Sequence, residues 1–191
     1  MPHGNPRSLD SKTDNELFDK ALKIMENSYA IYTNEPQGAA ILTSTGKIFA
    51  APRIEDPSFP PSDLIEAALN MAFSQGEIYI EKILLITVIN PKTDPKKIDA
   101  KIRPAGKSLQ KLYEVSLIGN LDFEVIWVNK TPENIWAAKI SELLPCPFSP
   151  EHFFDKPDKM EEFKSEMEKF RRKMEEIRKR IINQNEQETI K

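Results

Sequence analysis

Cysteine and histidine, the residues that most often hold a zinc ion, are almost absent from this chain. His3, Cys146 and His152 are the complete set, and a zinc site built from nitrogen and thiolate ligands needs three or four of them. A zinc centre of that kind would have to use every one of these residues. Ser108 has no histidine neighbour in the sequence, so a Ser-His-Asp triad is not predicted either.

Carboxylates are the other candidates for acid–base chemistry. Glu66 lies near the start of a predicted helix, where the helix dipole favours a negative charge, and we favour that structural role for it. Glu55 lies in a loop between prolines, where a carboxylate either binds a hydroxyl group or caps a turn. Cys146 stands between two prolines with no base nearby, which predicts an unreactive thiol.

Hydrophobic periodicity predicts the elements that must position these residues. The predicted helices span about 12–32, 62–76, 104–116 and 140–144, and the predicted strands span 38–43, 47–51, 83–89, 123–128 and 135–137. The first two strands flank Ser44-Thr45-Gly46 and therefore predict a β-hairpin. Helices that alternate with strands imply crossover connections and a largely parallel central section, with the hairpin as an antiparallel edge.

These elements predict an α/β fold, a three-layer α/β/α sandwich with a mixed central sheet, over residues 12–154. Residues 1–11 combine Pro, Gly, Asn and Ser with few apolar groups, which predicts a disordered N-terminus. Residues 155–191 differ in composition and are predicted to form a charged C-terminal helix and tail.

Charge and composition exclude several classes of function. The formal net charge is -3, whereas a dedicated DNA-binding domain usually carries a basic excess. The basic groups at 171–173 and 178–180 are interrupted by Glu175 and Glu176, so nucleic-acid binding is not favoured. A single cysteine and the lack of a signal sequence or long apolar run predict a cytoplasmic protein, with the nucleus as the other reducing compartment, and no membrane segment.

The C-terminal segment carries apolar residues with heptad spacing. They are Met160, Phe163, Met167, Phe170, Met174, Ile177 and Ile181. In a parallel homodimer two of the three flanking charge pairs would repel, which disfavours that assembly. We therefore expect residues 158–182 either to fold back onto their own assembly or to bind a partner helix with acidic flanks.

Five segments of the chain match a known family in order and spacing. They are the hairpin 38–49, the loop 53–56, the segment 64–66, the stretch 102–110 and the closing segment 142–151. Together they resemble the cytidine deaminases, which are zinc-dependent nucleoside deaminases, over about residues 15–154. The resemblance implies the α/β/α fold already predicted from the pattern of elements.

The resemblance places the family's three zinc ligands, which are cysteine or histidine, at Leu64, Ala105 and Ser108. Leucine and alanine have no donor atom, and a lone serine hydroxyl is a poor zinc ligand, so no zinc cofactor is expected here. Glu66 occupies the family's proton-shuttle position, but free water, with a pKa near 15.7, is a poor nucleophile without a metal. We expect Leu64 to be largely buried and to point toward Ala105 and Ser108.

The substrate-binding positions implied by the resemblance are partly changed. Arg53 replaces the family's ribose-binding asparagine, and Glu35 replaces an aromatic residue. Glu55, Gln110 and the closing aromatic residue, Phe148, are kept. Arg53, Glu55, Gln110 and Phe148 are therefore the candidate substrate-binding residues.

The leading hypothesis is a catalytically inactive cytidine deaminase-like protein that acts as a scaffold or interaction subunit. One alternative is an active deaminase with a non-standard metal site built from carboxylates such as Glu35, Asp63 and Glu66. Another is a nucleoside-binding sensor. The resembled family is mostly oligomeric, so we expect a homo-oligomer, or a hetero-oligomer with a deaminase paralogue, that uses the segments around Phe59 and Phe148.

Overall fold

The computed structural model describes residues 4–57, 63–89, 103–130, 134–154 and 156–189. Phe59 lies outside these residues. Within them the strands are β1 (Asn5–Pro6), β2 (Gln37–Thr43), β3 (Ile48–Pro52), β4 (Ile80–Thr87), β5 (Glu124–Asn129) and β6 (Ile135–Lys139). The helices are α1 (Lys12–Met25), α2 (Leu64–Ser74), α3 (Gly106–Gly119), α4 (Ile140–Leu143) and α5 (Pro157–Thr189).

The described strands form one mixed sheet in the order β1-β6-β5-β4-β2-β3. Only β4 and β5 pair in parallel, and the other neighbours are antiparallel. The expectation of a largely parallel central section is therefore wrong. The chain passes through α2 from β3 to β4, but β2 lies between these two strands and is antiparallel to both.

Helices cover both faces of this sheet. Because side chains alternate along a strand, Ile83 and Leu85 of β4 face one side, whereas Leu84 and Ile86 face the other. The first pair packs in a core with residues of α2 and α3, and the second packs in a core with residues of α1. The predicted α/β/α sandwich with a mixed sheet is confirmed.

The helix α1 ends seven residues before the predicted boundary at Tyr32. The backbone leaves the helix because Tyr29 pairs with the segment that follows β3. The Tyr29 N–H donates to the Arg53 carbonyl over 2.9 Å, and the Glu55 N–H donates to the Tyr29 carbonyl over 2.9 Å. This pairing fixes the loop between α1 and β2 beside Arg53 and Glu55.

The N-terminal segment differs from the predicted disorder over the residues that the structure describes. Asn5 and Pro6 pair with β6, and Arg7 anchors them to the domain. Its guanidinium lies 2.5 Å from a carboxylate oxygen of Asp14 and 2.5 Å from one of Glu124. The composition of residues 1–11 predicted disorder because it does not include the two carboxylates that hold Arg7, which lie later in the chain.

Replacing Arg7 by alanine is expected to lower the free energy of unfolding at pH 7 by about 2 kcal/mol, because Asp14 is buried and loses one of its two cations. Burial acts to raise the pKa of Asp14, but hydrogen bonds from Lys82 and Ser11, with the Arg7 charge, hold it below its usual range.

A carboxyl group with a lowered pKa stabilises the fold above its unfolded pKa of about 4 and loses this effect as the pH falls. The loss caused by Arg7→Ala should therefore shrink below about pH 4. Denaturant titrations from pH 3 to 7 measure it, with Lys12→Ala as the control because that side chain is 91% exposed. Equal losses for both variants would contradict the anchoring role of Arg7.

The long helix α5 folds back onto its own domain, which is one of the two arrangements expected from its sequence. Met174 is buried, and Arg171 donates hydrogen bonds to the carbonyls of Leu117 and Ile118. The other apolar residues of the heptad seam are partly buried. No helix of the described part of the chain is long and apolar enough to cross a membrane.

Candidate functional site

The N-terminal ends of α2 and α3 are joined by a hydrogen bond between Asp63 and Ser108. Asp63 precedes α2, and its Oδ1 accepts from the backbone N–H groups of Ile65 and Glu66 over 3.0 and 3.3 Å. Its Oδ2 accepts from the Ser108 hydroxyl over 2.8 Å. Both carboxylate oxygens are thus engaged inside the protein. Ser108 is itself buried, so solvent competes little for this bond.

Leu64 and Ala105 lie at the same two helix ends, but in different surroundings. Leu64 is partly buried and packs against the core beneath α2 and α3. Ala105, the residue before α3, is exposed. Leu64 is therefore partly buried, and its predicted orientation toward Ala105 and Ser108 stays a prediction. Ala105 itself faces solvent.

The side chains at these helix ends do not fit a zinc ion. A catalytic zinc ion requires three nitrogen, thiolate or carboxylate ligands and one open position, whereas the Ser108 hydroxyl donates a hydrogen bond to Asp63. Within the residues that the structure describes, no three or more His, Cys, Asp or Glu side chains lie close enough together to hold a metal.

Glu66 projects from the first turn of α2 toward two lysines of α3. The Lys107 ammonium lies 3.7 Å from one carboxylate oxygen and the Lys111 ammonium lies 3.8 Å from the other. The Glu66 side chain is 36% exposed. These contacts make Glu66 a partly solvated carboxylate that links the two helices, and sequence analysis missed both lysines.

Glu55 is buried and makes all of its described contacts inside the chain. Its oxygens accept from the Thr33 hydroxyl over 2.5 Å and from the Tyr32 and Thr33 N–H groups over 2.9 and 3.3 Å. Arg53 lies 3.1 Å away as its counter-ion. Burial acts to raise the pKa of Glu55, but the Thr33 and backbone hydrogen bonds, with the Arg53 charge, hold it below its usual range.

Arg53 is also buried, with 8% of its surface exposed. Its ion pair with Glu55 fixes the guanidinium at the end of β3, where the resemblance implies an uncharged ribose-binding residue. The two predicted substrate-binding residues of this loop are therefore brought together, but as partners of each other. Their arrangement holds residues 32 and 33 in place.

Gln110 and Phe148 are likewise brought together by direct contact. The Gln110 amide donates to the Phe148 carbonyl over 2.7 Å and accepts from the Phe148 N–H over 3.0 Å. Phe148 is 52% exposed, and its ring makes a tilted contact with His152 and an edge-on contact with Phe153, with centroid distances of 4.6 and 5.0 Å. Gln110 thus holds the closing segment against α3.

Asp63 was named only as one carboxylate of a possible metal site, and its role as the N-cap of α2 that also binds Ser108 was missed. Its sequence signal is the N-cap preference for aspartate immediately before an apolar helical run. The N-cap role alone does not reveal the second bond to Ser108, because that residue lies on another helix.

Comparison with known proteins finds similarity to one family. Residues 3–95 match the family model for the cytidine and deoxycytidylate deaminase zinc-binding region. Among solved structures, cytidine deaminase from Burkholderia pseudomallei is 25% identical with a TM-score of 0.58, and the match covers 70% of this chain and 98% of that chain.

Two further solved structures share the fold at lower identity. Cytidine deaminase from Mycobacterium leprae is 21% identical with a TM-score of 0.53, over 71% of this chain and 99% of that chain. The enzyme from Bacillus anthracis is 15% identical with a TM-score of 0.51, over 82% of this chain and 96% of that chain. Each neighbour is matched almost completely, whereas part of this chain extends beyond the match.

Proposed function

We propose that the chain, which is similar to the cytidine and deoxycytidylate deaminases in its match to their family model and in its fold, is a catalytically inactive member of that family that acts as a scaffold or interaction subunit. The observation that carries this proposal is the hydrogen bond from Ser108 to Asp63. It occupies the ends of the two helices that, by the family resemblance, would carry the metal ligands, and it joins those ends without a metal.

The surroundings of Glu66 support the same conclusion. Zinc deaminases need a metal-bound water as nucleophile and a glutamate that transfers its proton. Glu66 is instead paired with Lys107 and Lys111, and the described residues around it include no group of three or more His, Cys, Asp or Glu that could hold a metal. A carboxylate in this setting has no activated water from which to accept a proton.

An exposed apolar surface supports a role in assembly. Four large side chains near the end of β3 are each about half or more exposed, namely Tyr29, Ile31, Tyr32 and Ile54. Tyr29 and Ile54 belong to the same β-bridge, so these residues form one patch. Patches of this kind often mark protein–protein contacts. We propose that it contacts a second copy or a deaminase paralogue in the cytoplasm.

Two measurements on the purified protein test the proposal. We expect less than about 0.1 zinc ion per chain and a cytidine deamination rate at least about 10³-fold below that of the Burkholderia pseudomallei enzyme, since activation of the nucleophile by the metal is absent. Stoichiometric zinc together with turnover would overturn the proposal. The native mass of the complex reports whether the partner is a second copy.

The alternative functions have less support from the geometry. An active enzyme with a carboxylate metal site needs several ligands close together, and the described residues contain no group of three or more His, Cys, Asp or Glu side chains that could hold a metal. A nucleoside sensor needs Glu55 and Phe148 to contact the ligand, but the Glu55 carboxylate already accepts hydrogen bonds from Tyr32 and Thr33. Calorimetry with cytidine at millimolar concentration distinguishes the sensor, because only a sensor would give a saturable heat.

A further inference from the structure

The helices α2 and α3 lie side by side on one face of the sheet and are joined at both of their ends. At the N-terminal ends, the Ser108 hydroxyl donates to Asp63 over 2.8 Å, and the same aspartate caps the first turn of α2. Lys107 and Lys111 of α3 reach Glu66 of α2 nearby. These contacts lie where the resemblance implies that a metal joins the two helices.

At the opposite ends, α5 crosses both helices. Arg171 of α5 donates to the carbonyls of Leu117 and Ile118, in the last turn of α3, over 2.9 and 2.7 Å. The Leu117 carbonyl also accepts from the N–H of the C-cap residue Asn120 over 3.2 Å, but carbonyls in the last turn lack the regular bond from a residue four positions later, so a guanidinium is a favourable cap for them. The side chain of Arg171 is 22% exposed, which shields the interaction partly from solvent.

The contact of α5 with the end of α2 is closer still. Gly76, which follows α2, has a left-handed φ of +76°, and a Cβ atom placed there would lie 2.7 Å from the Arg178 nitrogen and 2.8 Å from the Met174 carbonyl. The backbones of α5 and of the α2 terminus thus touch directly. Met174 is buried at this crossing.

We propose that the Asp63–Ser108 hydrogen bond and the strap formed by α5 together replace the metal as the structural tie between α2 and α3. This inference rests on the proposed function, in which no metal is bound. A single hydrogen bond contributes much less than a set of metal–ligand bonds, so one bond would leave the far ends of the helices free to separate. The strap restrains those ends.

Two glycines provide a matched test in the full chain. Gly46 has a φ of +80°, and a Cβ atom added to it would have no other atom within 4 Å, whereas Gly76 has nearly the same φ but touches α5. Alanine at either position carries the same left-handed backbone strain. Only Gly76→Ala should displace α5, and the difference between the two variants isolates the effect of the strap.

The exchange rates of backbone amide hydrogens measure how firmly α2 and α3 are held together. We expect Gly76→Ala, but not Gly46→Ala, to accelerate exchange at least about tenfold both in α5 and in the first turns of α2 and α3, residues 64–68 and 106–110. If the two variants exchange alike, or if only α5 is affected, the proposed tie is wrong.

A second pair of variants avoids any backbone clash. Arg171→Ala removes the cap on α3, and its exposed neighbour Arg172 supplies the control Arg172→Ala. We expect the same pattern of faster exchange for Arg171→Ala alone, and unchanged first turns in that variant would also overturn the inference. Bound zinc and cytidine turnover in the unmodified protein would instead contradict the proposed function on which this inference rests. Failure of the inference and failure of the proposed function are therefore distinguishable.

Discussion

A triple variant with Leu64→Cys, Ala105→Cys and Ser108→Cys is expected to bind one zinc ion per chain and still to deaminate cytidine at least about 10³-fold more slowly than an active family member. Three thiolates meet the requirement of zinc for soft ligands, and structural zinc sites of this kind bind with about 10–16 kcal/mol at pH 7. The gain in metal affinity is therefore the largest effect we predict.

Activity should remain low because the metal is only one part of the site. Arg53 stays paired with Glu55 in the loop where the resemblance implies a ribose contact. Glu66 stays between two lysines. A general acid or base typically contributes about 10²- to 10⁴-fold to a rate, so a misplaced glutamate alone accounts for a large loss.

Metal analysis after dialysis and a cytidine assay measure these two outcomes. The control variant carries serine at positions 64 and 105 and keeps Ser108, and it should bind no zinc because it lacks thiolates. Strong deamination by the cysteine variant would show that the substrate pocket is intact. Absence of zinc from that variant would show that the three positions do not converge as the resemblance implies.

The second large effect is expected from Glu55→Gln, which should lower the melting temperature by about 10 °C. The substitution removes the only described counter-ion of Arg53, and a buried charge that has lost its partner is strongly destabilising. A glutamine amide has only one acceptor oxygen, so its NH2 group must face either the Tyr32 and Thr33 N–H groups or the Arg53 guanidinium, and both are donors. Thermal unfolding measures the loss directly.

Glu81→Gln is the matched control, because Glu81 is an exposed residue of β4. Its melting temperature should change by less than about 2 °C. Because the pKa of Glu55 is lowered, the stabilisation that its carboxylate provides depends on pH. The stabilisation is complete above about pH 4 and fades as the carboxylate is protonated at lower pH, so the difference between the unmodified protein and Glu55→Gln should narrow in acid.

Local patterns predicted most of the fold. The hairpin around Gly46 follows from two apolar runs flanking a turn, and the end of α2 follows from Gly76, whose left-handed backbone favours glycine. The two helical layers follow from the continuous apolar run in β4, whose side chains point to both faces of the sheet and need cover on each. These signals are local in sequence, so one amino-acid sequence contains them without any alignment.

Contacts between distant residues could not be predicted in the same way. Arg7 looks like part of a polar tail until Glu124, 117 positions later, is placed beside it. The order of the strands also depended on β2 entering between β3 and β4, which no local pattern specifies. Similarly, the candidate site was identified by position, but the bond between Asp63 and Ser108 required the packing of two helices.

The pairing of β1 with β6 has a consequence for synthesis of the chain on the ribosome. Asn5 is made well before its partner Ala137, which follows 132 positions later. During most of translation the β1 segment therefore has no strand to join, and such distant pairings form slowly. The first strand of the sequence is thus expected to be among the last to dock, after the central strands have assembled.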